Sequence, residues 1–259
     1  MNPRTVVITG GAAGIGRAVA CLCAERGDCV TILDRDEPGA LEAASEAMKL
    51  GAQGALGLGC DVRCEDQVEQ ALEKSAERFG PPYALFANAG IDIGGFIHEL
   101  ALETWKQVVD TNLTGVFLTS KHALRQMLAA KVHGSIVCTS SPNGFVALAG
   151  GAVGAYSATK AAISALVRCM AVDYAKFGIR VNAIVPGATE TRLMWNNVPA
   201  GEVPQMRDQL NREIPLGRIG QPIDIAHAVI WLLSEDSCYV TGSQLVCDGG
   251  IMAKSCISV

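Results

Sequence analysis

The sequence predicts a doubly wound α/β fold, a seven-stranded parallel sheet with helices on both faces. Two observations carry this. Short β-branched or apolar runs alternate with longer helical patterns along the chain. Most of those runs are continuously apolar rather than alternating, as expected of strands covered on both faces.

The strands and helices follow in order. The first strand, 5–9, reads Thr-Val-Val-Ile-Thr, and the helical pattern 18–26 after it is stopped by Gly27. Strand 29–33 leads to a helix at 41–50, with Pro38 where a first turn begins and Gly51 just past the end. Strand 55–60, a helix at 65–79 closed by Gly80, and strand 83–88 come next. Strands 135–139, 180–185 and 244–247 complete the sheet, with an alanine-rich helical run from 155 and a helix opening near Pro222 between them. The stretch 192–215 fits the alternation poorly, mixing Met194 and Trp195 with prolines and charges. It is expected to be a partly helical insertion over one sheet edge, a substrate lid. With no repeat, low-complexity tract or linker, residues 1–259 are expected to form one domain.

Composition excludes several classes. The 21 Lys plus Arg against 26 Asp plus Glu give a formal charge of -5, without the clustered basic surface that phosphate contact requires, so no nucleic-acid partner is expected. No apolar run approaches the roughly 20 residues of a spanning helix, so no membrane partner is expected either. The first strand begins too early for a secretory leader. The ten cysteines show neither C-x-x-C spacing nor a disulfide framework, since Cys21 and Cys23 stand two apart and Cys60 and Cys64 four apart. Reduced thiols, no metal and a cytoplasmic location are therefore expected.

The chemistry begins at Thr9-Gly10-Gly11-Ala12-Ala13-Gly14-Ile15-Gly16, a glycine-rich turn between a strand and a helix. Gly10, Gly14 and Gly16 let backbone approach a pyrophosphate, while free N–H groups and the helix dipole favour the anion; Ile15 lies in the same turn. Asp34, eighteen residues after Gly16, ends the second strand. A carboxylate there accepts from ribose hydroxyls and repels a 2'-phosphate, so NAD is expected over NADP, although the adjacent Arg35 could pair with such a phosphate.

Tyr156 and Lys160 stand four apart, on one face if their run is helical. An ammonium beside a phenol favours the phenolate and brings a pKa of about 10 nearer neutrality, which makes an acid/base catalyst.

Taken together, these motifs resemble the short-chain dehydrogenase/reductase (SDR) family over nearly the whole chain. Thr9 to Gly16 is similar to its T-G-x-x-x-G-x-G turn, Asn88-Ala89-Gly90 to its N-A-G, and Asn112 to its mid-helix asparagine. Tyr156 to Lys160 is similar to Y-x-x-x-K, and Pro186-Gly187 to the P-G after strand six. The resemblance implies a Rossmann-like fold in which Asp61 and Val62 lie at the adenine, Asn88 backs the adenosine ribose region, and Gly90 also binds the cofactor. It implies that Thr189 and Thr191 hold the carboxamide, and that Lys160 binds the nicotinamide ribose. Asn112 would bind the water linking Lys160 to solvent. Cys138 to Gly144 resembles S-S-x-x-G, which assigns the catalytic serine to Ser141, with Ser140 as fallback. The fifteen residues from Ser141 to Tyr156 are two more than the family usually has, and the extra residues are expected in the glycine-rich segment 150–154.

The implied reaction is hydride transfer between NAD and a secondary alcohol, with Tyr156 carrying the proton and Ser141 holding the substrate oxygen. Pro142, Phe145, Val146, Met194, Trp195 and Val198, with Ile91 and Ile93, are expected to border an apolar pocket suited to a bulky, cyclic alcohol. The alternatives are an NADPH-dependent 3-oxoacyl-type ketone reductase, a noncatalytic NAD-binding regulator, and a scaffold. A homotetramer is implied by the resemblance. The tail 253–259, with Cys256, is placed near a subunit contact.

Overall fold

The computed structural model describes residues 3–147 and 151–254. Seven strands form one all-parallel sheet: β1 (Thr5–Thr9), β2 (Cys29–Asp34), β3 (Gly54–Gly59), β4 (Ala84–Ala87), β5 (Ser135–Thr139), β6 (Arg180–Pro186) and β7 (Gln244–Cys247). They lie in the order β3-β2-β1-β4-β5-β6-β7. The chain winds outward from β1 to β3, returns to place β4 on the other side of β1, and winds outward again. The reversal leaves a crevice at the carboxyl ends of β1 and β4, where sheets of this kind bind ligands.

Both faces of the sheet are covered, which explains the continuously apolar strands. In β1, Val7 joins a core on one side while Val6 and Ile8 join the core on the other. The first core is closed by α3 (Glu65–Phe79), α5 (Gly115–Ala129) and α6 (Gly154–Tyr174), which contribute Leu72, Met127 and Ile163. The second is closed by α1 (Gly14–Glu25), α2 (Glu37–Lys49) and the last helix, Pro222–Leu233, through Val19, Ala43 and Val229.

Local chemistry sets the helix ends. Asp36 caps α2 by accepting from the Gly39 amide at 3.2 Å, one residue from the proline fixed in its first turn. Gly80, at φ +84°, ends α3 in backbone that a side chain would strain. The helix carrying Asn112 is interrupted: α4 (Leu102–Val109) passes into a π-helical turn, Asp110–Thr114, before α5. The asparagine expected in mid-helix thus stands in a widened turn, because its side chain reaches out to bond both backbone groups of Ile91. In the stretch 192–215 there are two helices, α7 (Arg192–Trp195) and α8 (Val203–Glu213), so Pro222–Leu233 is α9.

The nine described cysteines are free thiols, and the described residues contain no group of three potential metal ligands. No described helix is long and apolar enough to cross a membrane.

Candidate active site

The glycine turn is built by close approach. A Cβ on Gly16 would sit 2.2 Å from the Gly10 carbonyl oxygen, and one on Gly10 would sit 2.9 Å from Ala89 Cα. Gly10 and Gly14 take φ of +64° and +56°. Gly14 and half-buried Ile15 open α1, whose amino terminus has no side-chain cap and no acidic residue in its first turn, so its amides are open to an anion.

Asp34 fixes this turn from the end of β2. Its Oδ2 accepts from the Ala12 amide at 3.1 Å and its Oδ1 from the Asp36 amide at 3.1 Å, and each oxygen keeps a lone pair. Asn88 fixes it from β4. It donates to the Thr9 and Gly10 carbonyls at 3.2 Å each and accepts from the Thr139 hydroxyl at 3.1 Å. Asp61 is held by Arg63, whose Nε lies 2.9 and 3.0 Å from its two oxygens and whose guanidinium keeps the carboxyl below its ordinary pKa. Val62 is buried against Gly115, where a Cβ would meet it at 2.6 Å.

The polar cluster gathers at the carboxyl ends of β4, β5 and β6. Ser141 is buried, accepts at its hydroxyl from the Asn143 amide at 3.3 Å, and is near enough to the half-buried Tyr156 to bear on its phenol. Ser140, the fallback, turns its hydroxyl into α6 instead, donating to the Lys160 carbonyl at 3.0 Å beside Ser164. Gly144 lets this turn ride on α6, since a Cβ there would be 2.9 Å from the Lys160 carbonyl carbon. Lys160 is buried, lies with Nζ 5.3 Å from the Tyr156 ring centroid, and donates to the Thr139 carbonyl at 2.8 Å.

Lys160, expected to tune Tyr156, is not among the groups that set its phenol. Burial dominates, pushing the phenol up to about 12, with the Ser141 hydrogen bond pulling the other way and the Asp92 charge adding to the rise. Burial likewise brings Lys160 down to about 8. Asn112 is anchored to the loop after β4. Its side chain accepts from the Ile91 amide at 2.8 Å and donates to the Ile91 carbonyl at 2.9 Å and to Thr159 at 3.3 Å.

Across the crevice, Gly187 follows Pro186 at the end of β6 and allows contact with Asp248, whose Cα would lie 2.6 Å from an added Cβ. Thr189 donates to the Gly187 carbonyl at 3.0 Å and Thr191 to the Thr189 carbonyl at 3.3 Å. A Cβ on Gly14 would meet the Thr191 methyl at 3.2 Å, so the two turns approach each other closely.

A family profile described as "Enoyl-(Acyl carrier protein) reductase" matches residues 10–252. A solved structure titled "Crystal structure of a short-chain type dehydrogenase/reductase from Mycobacterium marinum" superimposes with a TM-score of 0.91 at 34% identity, covering 97% of this chain and 96% of that one. The chain belongs to the short-chain dehydrogenase/reductase family. It is an oxidoreductase acting on CH–OH groups with a nicotinamide cofactor. The cis-4-hydroxycyclohexanecarboxylate dehydrogenase of Sinomonas cyclohexanicum is 41% identical over 251 residues, 96% of this chain and 97% of that protein. The 2,5-dichloro-2,5-cyclohexadiene-1,4-diol dehydrogenase of Sphingobium indicum (strain UT26S) is 37% identical over 257 residues, 98% of each.

In this SDR protein, residues beyond the motifs complete the site. Trp195, expected to line the pocket, donates its indole N–H to Glu190 at 2.7 Å and stacks under Arg207, 5.0 Å from ring centroid to guanidinium carbon. Arg207 also pairs with Glu190, so α7, α8 and the segment after β6 are tied together. Met194 and Val198 are half-buried in the same stretch, while Phe145 and Val146 stand exposed beyond the half-buried Pro142. Ile97, exposed to solvent, lies against Gly154, where an added Cβ would be 2.7 Å from its Cδ1. Asp92, between Ile91 and Ile93, belongs to none of the motifs. Of the segment 150–154 expected to take up the longer spacing, Gly150 lies outside the described residues; Ala152 takes φ +46° and accepts from the Gly95 amide at 2.7 Å. The tail beyond Lys254, including Cys256, also lies outside them.

Proposed function

We propose that this SDR protein is an NAD-dependent dehydrogenase interconverting a hydrophobic, cyclic secondary alcohol and its ketone, with Tyr156 as the acid/base. The observation that carries the reading is the meeting of Ser141, Tyr156 and Lys160 beside an open glycine turn. Two relatives named for ring alcohols, together with the apolar Ile91, Ile93 and Met194, support a cyclic substrate.

The residues present fit a dinucleotide. The uncapped start of α1 and the glycines that only a Cβ would fill suit a pyrophosphate, and the Asp34 carboxylate suits adenosine ribose hydroxyls rather than a 2'-phosphate. Asp61, Val62, Asn88 and Gly90 would border the adenosine half. Lys160, Pro186, Gly187, Thr189 and Thr191 would border the nicotinamide half. When bound, the cofactor accepts or supplies the hydride.

The protein's own task is to hold the substrate oxygen and move one proton. Ser141 positions that oxygen against the Tyr156 hydroxyl. In oxidation Tyr156 takes the alcohol proton as the carbinol hydride leaves; in reduction it returns the proton to the ketone oxygen. The buried Lys160, close to losing its own proton near neutrality, exchanges protons between Tyr156 and solvent with Asn112 alongside. The helices of 192–215 cover the pocket as a lid. Exposed Phe117 on α5 and Val172 on α6 support assembly into a homotetramer.

The test is a panel of secondary alcohols with NAD and NADP, read as appearance of reduced cofactor. Turnover of cyclic alcohols with NAD is expected. Binding of NAD with no turnover across the panel would instead leave a regulator on the same fold.

A further inference from the structure

Asp92 is a polar group that the proposed mechanism leaves unused. Its Oδ1 is sealed from solvent and has no hydrogen-bond partner among the described residues. Such an oxygen is costly to bury unless a ligand completes it.

The loop that carries it is fixed against the catalytic cluster. Ile91, its neighbour, is bonded at both backbone groups by Asn112, at 2.8 and 2.9 Å. The Gly95 amide donates to the Ala152 carbonyl at 2.7 Å, and Asn197 from the lid stretch donates to the Asp92 carbonyl at 3.5 Å. A Cβ on Gly90, two residues before Asp92, would lie 3.7 Å from Lys160 Nζ. Burial holds the Asp92 carboxyl above its ordinary range while the Lys160 charge draws it back down. Its flanking residues are isoleucines. A single acceptor in an otherwise apolar wall fixes the orientation of a ligand and discriminates among ligands.

We propose that Asp92 is a specificity residue whose inward oxygen accepts a hydrogen bond from a second hydroxyl of the substrate, so that the enzyme takes a diol over the matching mono-alcohol. The inference rests on the dehydrogenase reading above and names its substrate class. Removing the second hydroxyl leaves the Asp92 oxygen unpaired, and discrimination of that origin is strong. A hydroxy acid would set its own carboxylate against Asp92 and be disfavoured.

The test compares kcat/KM with NAD for the cyclohexane-1,2-diols and -1,4-diols, cyclohexanol, and 4-hydroxycyclohexanecarboxylate. The wild type is expected to prefer at least one diol over cyclohexanol by about 10- to 100-fold, the worth of a hydrogen bond to a charged group. Asp92→Ala should collapse that ratio to near one. Asp92→Asn, which keeps shape and a carbonyl acceptor, should give an intermediate ratio and carries the test should the alanine protein fail to fold. Calorimetric titration of each compound into the protein–NADH complex reads the same preference without turnover. The inference is overturned if the wild type shows no diol preference in either measurement, if it favours the hydroxy acid, or if the variants lower all substrates together and keep the ratio. Diol binding that depends on Asp92 without oxidation would defeat the dehydrogenase reading and leave this one standing. Oxidation of cyclohexanol and diols alike would do the reverse.

Discussion

The two ends of the crevice are built by different means. At the adenosine end, one contiguous turn supplies free amides and close-approach glycines, and the side chains around it, Asp34 and Asn88, chiefly tie backbone to backbone. At the proposed nicotinamide end, polar side chains are gathered instead, and they come from five separated segments: Asp92, Asn112, Ser141, Tyr156 with Lys160, and Thr189 with Thr191. Backbone binding of an anion needs only local conformation. Proton chemistry needs convergence and burial, which no single stretch can supply.

Removing the phenol from the convergent end should have the largest effect. Tyr156→Phe should lower kcat by about 10²–10⁴ while NADH binding, read by fluorescence titration, stays intact. At the contiguous end, Gly16→Ala should do the opposite, abolishing cofactor binding before chemistry, because its Cβ would meet the Gly10 carbonyl at 2.2 Å. A Gly16→Ala protein that binds NADH normally would break the comparison.

Asp34→Ala should narrow the preference for NAD over NADP by about 10- to 100-fold, as expected for loss of a charged acceptor. Unchanged preference in cofactor kinetics would remove Asp34 from this role. With the free-enzyme phenol at about 12, kcat/KM for alcohol oxidation should rise with pH into the alkaline range, since the base must lose its proton. Ketone reduction, which needs the phenol, should fall as pH rises through the same region. A flat oxidation profile would sink the assignment of Tyr156 as base. The smallest effect is expected at the proposed lid, where Arg207→Ala breaks a surface pairing to Glu190. It should raise substrate KM by about two- to fivefold with little change for NAD, because exposed ion pairs are weak.

The same contrast explains what the sequence made legible. All seven strands were readable to within a residue or two, because their continuous apolar runs reflect two covered faces. The exception in length is β4, which ends at Ala87 because Asn88 leaves the ladder to bond Thr9 and Gly10. The π turn at Asn112 was not legible, since it exists through a bond to Ile91, twenty-one residues away in sequence. Nor was the division between Ser140 and Ser141, adjacent and identical, one bonded into α6 and the other beside Tyr156.

By itself, the sequence determined the parallel sheet, the glycine turn, the carboxylate at the end of β2 and the family, because periodicity, backbone permissiveness and motif order are local properties of the chain. Only the tertiary structure decided how deeply Tyr156 and Lys160 are buried, that Trp195 is tied to Glu190 and Arg207, and that one oxygen of Asp92 has no partner among the described residues. Those are consequences of desolvation and of neighbours brought from far along the chain, and residue order alone does not encode either in a readable form.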